Sequence, residues 1–327
     1  MKILMLSGIF GQTAEYRATH MAETPDSLLA DGLAAVGVDV TTAPPHFRGD
    51  WRGYDVVHLN HLTNACLRAL APSRQRIVFT HHTSGWKPWH HRLVRNAVER
   101  RADRVVVFTA DERRRLGRHV RDEKVAVIRS ALAVERFAPA PHRAPAPGEP
   151  WELLYVGQLV AFKRVHLALE LVRRMRAAGR HARLRIVSHR ETLRPELEAE
   201  ACRLGVADAV EYLGTRTRDE IGPEMARAHF LVLPSHREAL STVTSEAALT
   251  ALPVLLFDVS GADEQVPTGW ERPHPDDVER WFDLALHRVD HYAGAAAAFE
   301  QNAAAVRDRL GIDRAVREHV QLYRSLL

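Results

Sequence analysis

An α/β protein with two doubly wound, Rossmann-like halves is the fold class this sequence predicts. Three observations carry the prediction. Continuous apolar runs of strand length alternate with helical stripes, the pattern of parallel sheets covered on both faces. The alternation stops at APAPHRAPAPGEP, Ala138 to Pro150, a Pro- and Ala-rich stretch that reads as an extended linker. After it the alternation starts again.

In chain order, KILMLS reads as a buried strand rather than a signal peptide, because its apolar stretch is short and GQTAEYR follows with no cleavage site. Thr24 to Val36 carries Leu28, Leu29, Leu33 and Val36 at helical spacing, with Thr24 as N-cap and Pro25 as first helical residue. VDVTTA, DVVHLN, RIVFTHH, RVVVFTA and KVAVIRS read as strands. WKPWHHRLVRNAVERR reads as a helix with Leu93, Val94, Ala97 and Val98 on one face and solvated arginines on the other. That basic face would also allow a peripheral contact with an anionic membrane. In the second half WELLYVGQLV, ARLRIVS, AVEYLG, HFLVLPS and LPVLLFDVS are strands. His166 to Ala178 and Arg194 to Leu204 are helices, and the tail from Ala293 is helical. The expected boundaries are a first domain over 1–142, a linker over 143–150 and a second domain over 151–310. A closing helix over 311–327 packs back on the first.

Composition narrows the class. A hydrophobic share of 46% and a charged share of 26% are those of a soluble globular protein. The apolar runs fall well short of the roughly 20 residues a membrane span needs. Cys66 and Cys202 give neither a disulfide framework nor metal spacing, so a cytoplasmic location is expected. A net charge of +4 favours anionic ligands, and no nucleic-acid partner is expected. Nearly all the positive charge is arginine, and Lys163 is the only lysine beyond Lys124.

In open α/β sheets the residues that matter follow strands. After HFLVLPS comes HREALSTVTSEA, with Ser241 or Thr242 as the N-cap of a helix whose free N–H groups suit a phosphate. Glu238 precedes that start and Glu246 lies about one turn in. A capping box does not explain Glu246, because Val243 stands where Ser or Thr is needed. Two solvated carboxylates and two ligand-holding carboxylates remain equally open on pattern alone. In YVGQLVAFKR, Gly157 permits a close backbone approach, and Lys163 and Arg164 follow before the next helix.

These motifs, taken in order, resemble the retaining glycosyltransferases of family 4, which have the two-domain GT-B fold. GQLVAFKR, PSHREALSTVTSEAALTALPVLLFD and SGADEQV stand where that family has its Gly-Arg-Leu, Lys-Gly, Pro-Ser, paired Glu and Gly-Gly elements. ADRVVVFTADE, KVAVIRSALAVERFAP and the final LYRSLL extend the likeness over nearly the whole chain. The resemblance implies that Glu238 contacts the donor sugar and Glu246 the ribose. Backbone N–H groups of Leu240, Ser241 and Thr242 would cradle the diphosphate, and Lys163 would neutralise charge on the leaving phosphate. Gly157 and Gly11 would mark loops near the phosphates, and His81 would lie near the reacting sugar, while His58 and His61 read as cleft wall or core.

The sequence departs from the family at Gln158, where a phosphate-binding Arg is usual, with Arg164 or Arg237 as compensating cations. It departs again at Ala239-Leu240-Ser241 and at Ser260-Gly261. The implied reaction moves a sugar from a nucleoside-diphosphate sugar, UDP favoured over GDP or ADP, to a hydroxyl or amine. The acceptor is a small molecule, glycan or lipid, and anomeric configuration is retained. No Asp-x-Asp is present, so no catalytic metal is expected. Zinc on the histidines near the strand ends is disfavoured, because they lack a carboxylate at known spacing. Two rival readings use the same residues: a phosphorylase or sugar synthase, and a nucleotide-binding protein without turnover.

Overall fold

The structure is a computed structural model of the chain, described for residues 1–13, 24–62, 65–71, 74–81, 89–116 and 119–327. It divides into two compact units, Met1–Ala133 with Asp308–Leu327, and Val134–Arg307.

The first unit holds strands β1 (Lys2–Leu6), β2 (Asp39–Ala43), β3 (Val56–Asn60), β4 (Arg76–Thr80), β5 (Arg104–Val107) and β6 (Val125–Val127). They form one parallel sheet in the order β2-β1-β3-β4-β5-β6. Its helices are α1 (Pro25–Ala35), α2 (Ala65–Ala69), α3 (Trp89–Arg101) and α4 (Ala110–Arg115). Side chains alternate along each strand, so both faces are apolar. Leu4, Leu6, Val57, Leu59, Ile77 and Phe79 enter one core, and Ile3, Met5, Val56, Val78 and Val106 enter the other. Thr24 caps α1 through its side chain, with Pro25 at the helix start. On the buried side of α3 lie Val98 and Glu99, whereas Leu93, expected on the apolar face, is 60% exposed.

The second unit alternates β7 (Trp151–Val156), α5 (His166–Ala177), β8 (Ala182–Val187), α6 (Arg194–Arg203) and β9 (Val210–Gly214). It continues with α7 (Arg218–Arg227), β10 (Phe230–Leu233), α8 (Thr242–Leu249), β11 (Val254–Leu256), α9 (Val278–Asp290) and α10 (Tyr292–Leu310). Its parallel sheet runs β11-β10-β7-β8-β9. One core joins Leu153, Tyr155, Leu184, Phe230, Phe257 and Trp281.

One expectation about the ends of these units is corrected. The first crossing falls after Ala133, not at 142. Residues 134–142 join the second unit because their polar groups are satisfied there. Arg307 donates to the carbonyls of Val134 and Phe137, Ala140 N donates to Thr250 O at 3.1 Å, and both ring nitrogens of His142 lie 3.0 Å from backbone carbonyl oxygens. The helical tail breaks at Gly311, which is extended and bridges to Leu132. Beyond it, α11 (Ile312–Arg324) puts Val316, Leu322 and Tyr323 into the same core as Leu29 and Leu33 of α1. Gly32 permits that packing, since a Cβ there would stand 2.6 Å from a Val316 methyl.

Candidate active site

The strand order of the second sheet reverses beside β7, with β8 and β9 on one side and β10 and β11 on the other. At such a reversal the loops leaving the two central strands diverge and open a crevice at their carboxyl ends. Lys163 comes from the loop after β7 and Glu238 from the loop after β10. Lys163 Nζ donates to Glu238 Oε1 at 2.6 Å, although 75 residues separate them. The two side chains keep 15% and 11% of their surface exposed.

The loops are tied together beneath this pair. His236 N donates to Phe162 O at 2.8 Å. Arg164 takes a left-handed backbone conformation, donates through Nε to Pro234 O at 2.9 Å and through Nη1 to Pro275 O at 2.6 Å. Its guanidinium carbon lies 4.3 Å from the Phe257 ring centroid, and burial lowers its pKa. Arg164 is therefore a clamp between loops, where the sequence suggested a phosphate-side cation. Two prolyl carbonyls and an aromatic face hold it inward. Gly157 is dictated by local packing, because a Cβ there would stand 2.9 Å from the Tyr155 hydroxyl, which itself donates to Gln158 O at 2.8 Å.

Ser241 is the N-cap of α8. Its hydroxyl accepts from Thr244 N at 3.3 Å, and its carbonyl accepts from Ser245 N at 3.1 Å and from Gln265 Nε2 at 2.5 Å. The N–H groups of Thr242 and Val243 have no acceptor within the helix, and the positive end of the helix dipole lies there. Gly261, at φ 79°, backs this turn so closely that a Cβ would meet Ala239 O at 2.6 Å. The hydroxyls of Ser235, Thr244 and Ser260 are buried and have no hydrogen-bond partner among the described residues. Glu246 is 4% exposed and ion-paired with Arg218 at the start of α7. No motif flagged Arg218 or the Gln265 contact. The only local signal was the Thr217–Glu220 capping box that opens α7 just beside Arg218.

The first sheet reverses between β1 and β3. Gly8–Gly11 forms a short 3₁₀ turn after β1, and Gly11 lies against Pro44, where a Cβ would be 3.3 Å from Pro44 Cβ. Ser7 Oγ donates to Asp26 Oδ2 at 2.5 Å, and His61, at φ 66°, brings Nε2 within 3.4 Å of the same oxygen. His81 follows β4. Its N–H donates to Val106 O at 2.8 Å, and its Nδ1 lies 2.5 Å from Glu99 Oε1. The other Glu99 oxygen takes His119 Nε2 at 2.5 Å, and Arg95 Nε stands 3.6 Å from Oε1. Burial alone would raise the Glu99 pKa; hydrogen bonds and charge from His81, with His119 and Arg95, outweigh it and hold it below the ordinary carboxylate value. His58 is core, with its ring nitrogens 2.6 Å from Tyr323 Oη and Thr80 Oγ1. His82, beside His81 in the RIVFTHH run, lies outside the described residues. Among those described, no three His, Cys, Asp or Glu stand together so as to hold a metal ion.

Lys163, Glu238 and residues 240–242 are thus brought to one sheet edge, and Glu246 is turned to Arg218. Gly11 and His81 follow β1 and β4 at the carboxyl edge of the first sheet, with β3 between those strands. Residues 151–287 match the family described as Glycosyl transferases group 1, and residues 37–136 match Glycosyltransferase Family 4. Residues 151–287 are thus a group 1 glycosyltransferase domain, and residues 37–136 a family 4 glycosyltransferase domain.

A D-inositol 3-phosphate glycosyltransferase of Streptomyces bingchenggensis is 28% identical to this glycosyltransferase over 315 residues, 84% of this chain and 68% of the relative. The gpi3 subunit of phosphatidylinositol N-acetylglucosaminyltransferase from Schizosaccharomyces pombe is 30% identical over 160 residues, 48% of this chain and 34% of the relative. The chain spans 55% of the length of the Streptomyces scabiei inositol 3-phosphate enzyme. Sucrose-phosphate synthase from Thermosynechococcus elongatus superposes with a TM-score of 0.81 at 17% identity, covering 100% of this chain and 99% of that one. Anabaena Alr3699/HepE in complex with UDP and glucose gives 0.78 at 16% identity, covering 99% and 100%. At these identities the likeness is one of fold, and the fold is GT-B. No helix among the described residues of this glycosyltransferase is long and apolar enough to cross a membrane.

Proposed function

We propose that this glycosyltransferase moves a hexosyl group from a nucleoside-diphosphate sugar, UDP favoured, to an acceptor hydroxyl with retention of anomeric configuration. The observation that carries the reading is the Lys163–Glu238 ion pair at the reversal point of the second sheet. An ammonium beside a helix N-terminus suits a leaving diphosphate, and a carboxylate on the same ammonium suits the hydroxyls of the sugar attached to it. In the transfer the bond from the anomeric carbon to the phosphate oxygen breaks and a bond to the acceptor oxygen forms on the same face. The acceptor proton passes to the departing phosphate oxygen, giving the glycoside and the nucleoside diphosphate. Lys163 stabilises the growing phosphate charge, N–H groups of residues 240–242 cradle the diphosphate, and Glu246 takes ribose hydroxyls. Gln158 leaves that site with one cation fewer than the family pattern. His81 is assigned to the reacting sugar. Similarity to D-inositol 3-phosphate glycosyltransferases, together with the net charge of +4, favours a phosphorylated polyol as acceptor.

Calorimetry with UDP, GDP, ADP and dTDP on wild type and Glu246→Ala tests the reading. UDP is expected to bind most tightly, and the substitution to weaken it about tenfold, about 1.4 kcal/mol. Absence of binding by every diphosphate, or equal affinity in the variant, would remove the nucleotide assignment.

A further inference from the structure

Glu99 is out of place for a helix read from its sequence. Its position in α3 points into the unit, its side chain has 0% of its surface exposed, and Leu93 on the same helix is left at 60%. A residue that only filled this space would be apolar, since a buried carboxylate persists only with partners for its charge. Glu99 has three. Each oxygen takes one imidazole nitrogen at 2.5 Å, His81 Nδ1 on Oε1 and His119 Nε2 on Oε2, and Arg95 stands 3.6 Å away.

We infer that Glu99 is a positioning residue for sugar transfer, fixing the tautomer and the ring orientation of His81. The inference rests on the assignment of His81 to the reacting sugar. An ionised carboxylate accepts hydrogen bonds and has none to give, so both imidazoles donate to it. Neutral His81 then carries its proton on Nδ1, and Nε2 is left as an acceptor. The backbone that carries the ring is also fixed, since the His81 main-chain N–H donates to Val106 O at 2.8 Å. Glu99 thereby decides the polarity the ring presents. With Nδ1 protonated, Nε2 accepts a hydrogen bond from a substrate hydroxyl. With the proton on Nε2, the same atom would donate and repel that hydroxyl's hydrogen. His119 and Arg95 keep Glu99 charged through contacts of their own with its oxygens.

The test uses the full-length protein with ¹⁵N-labelled histidine, with His81 signals assigned through His81→Gln. Long-range ¹H–¹⁵N spectra of the wild type should show a protonated Nδ1 and a bare Nε2 on neutral His81. Glu99→Met, close in volume and without an acceptor, should shift His81 toward the Nε2–H form. UDP release from UDP-glucose should then fall about tenfold or more in kcat with KM within about twofold, as losses of an orienting partner do. His119→Leu should keep the His81 tautomer and most of the rate. An Nε2–H tautomer in the wild type overturns the inference, and that spectrum needs no variant to fold. So does an equal loss of kcat in Glu99→Met and His119→Leu with no tautomer change, which would mark general support of the fold. If Glu99→Met shifts the tautomer while neither it nor His81→Gln alters UDP release, the assignment of His81 is what fails, and Glu99 loses its part in the transfer. UDP affinity by calorimetry should be unchanged in Glu99→Met, which separates this result from a failure of the nucleotide site.

Discussion

The two sheet edges handle charge in opposite ways. In the second unit, Lys163 and Glu238 stand on loops beyond the strand ends, paired with each other and partly reached by solvent. In the first unit the charge lies behind the strand end, on a fully buried Glu99, and only an imidazole is carried forward. A loop charge needs no partner to exist, because water covers it until a ligand arrives. A buried charge persists only with partners that offset its desolvation. The first arrangement suits a site that must meet a highly charged diphosphate. The second suits a site whose task is to hold one ring still.

The largest expected effect breaks the second edge. Lys163→Ala should lower UDP release from UDP-glucose by about 10²- to 10³-fold, the usual cost of losing one preorganised charge at a developing oxyanion. A loss below about fivefold in steady-state kinetics would show that the ammonium serves only to hold Glu238.

A smaller effect sharpens the contrast from the first unit. His319 is buried beside His58 and Tyr323, and burial pushes its pKa down to about 4, with the Ala315 carbonyl, Glu318 and Asp26 opposing only in part. Between the ordinary value of 6.5 and about 4 the unfolded chain binds a proton that the folded one refuses. Stability from this group is therefore complete above pH 6.5 and is lost as pH falls toward 4, by about 3 kcal/mol in all. Denaturant titrations across that range should show a shallower pH slope for the first unit in His319→Phe than in wild type. Parallel slopes would refute the assignment.

The smallest effect probes backbone rather than charge. Gly261→Ala combines a left-handed φ with a Cβ 2.6 Å from Ala239 O, and should cost about 1–3 kcal/mol of second-unit stability in chemical denaturation. UDP affinity should fall with it, because the turn displaced is the one that opens α8. Unchanged stability would mean that the turn yields freely.

The same contrast explains what the sequence disclosed. The strands were legible because their apolar runs are long and uninterrupted, and the cap at Ser241 because a hydroxyl run opened an apolar helix. Lys163 and Glu238 were legible because loop residues after strands advertise themselves by type and position. Glu99 was not. It sits in a run of arginines, where one acidic residue looks like a surface counter-charge, and helical periodicity alone favoured Leu93 for the buried face. Arg164 misled in the other direction, since a loop arginine next to Lys163 looks like a phosphate contact until the carbonyls of Pro234 and Pro275 are seen to hold it. Arg218 had no motif, because its partner Glu246 is in contact only through the fold.

The closing helix α11 fills the core of the first unit beside α1, although the whole second unit lies between them in the chain. On a ribosome adding about 5–20 residues per second, the amino-terminal sheet must wait on the order of ten seconds after Ala133 emerges before the residues that cover it exist. Until then Ile3, Met5 and Val56 lack their last neighbours. The nascent chain therefore completes Val134–Arg307 before residues 308–327 emerge to seal the earlier-made unit.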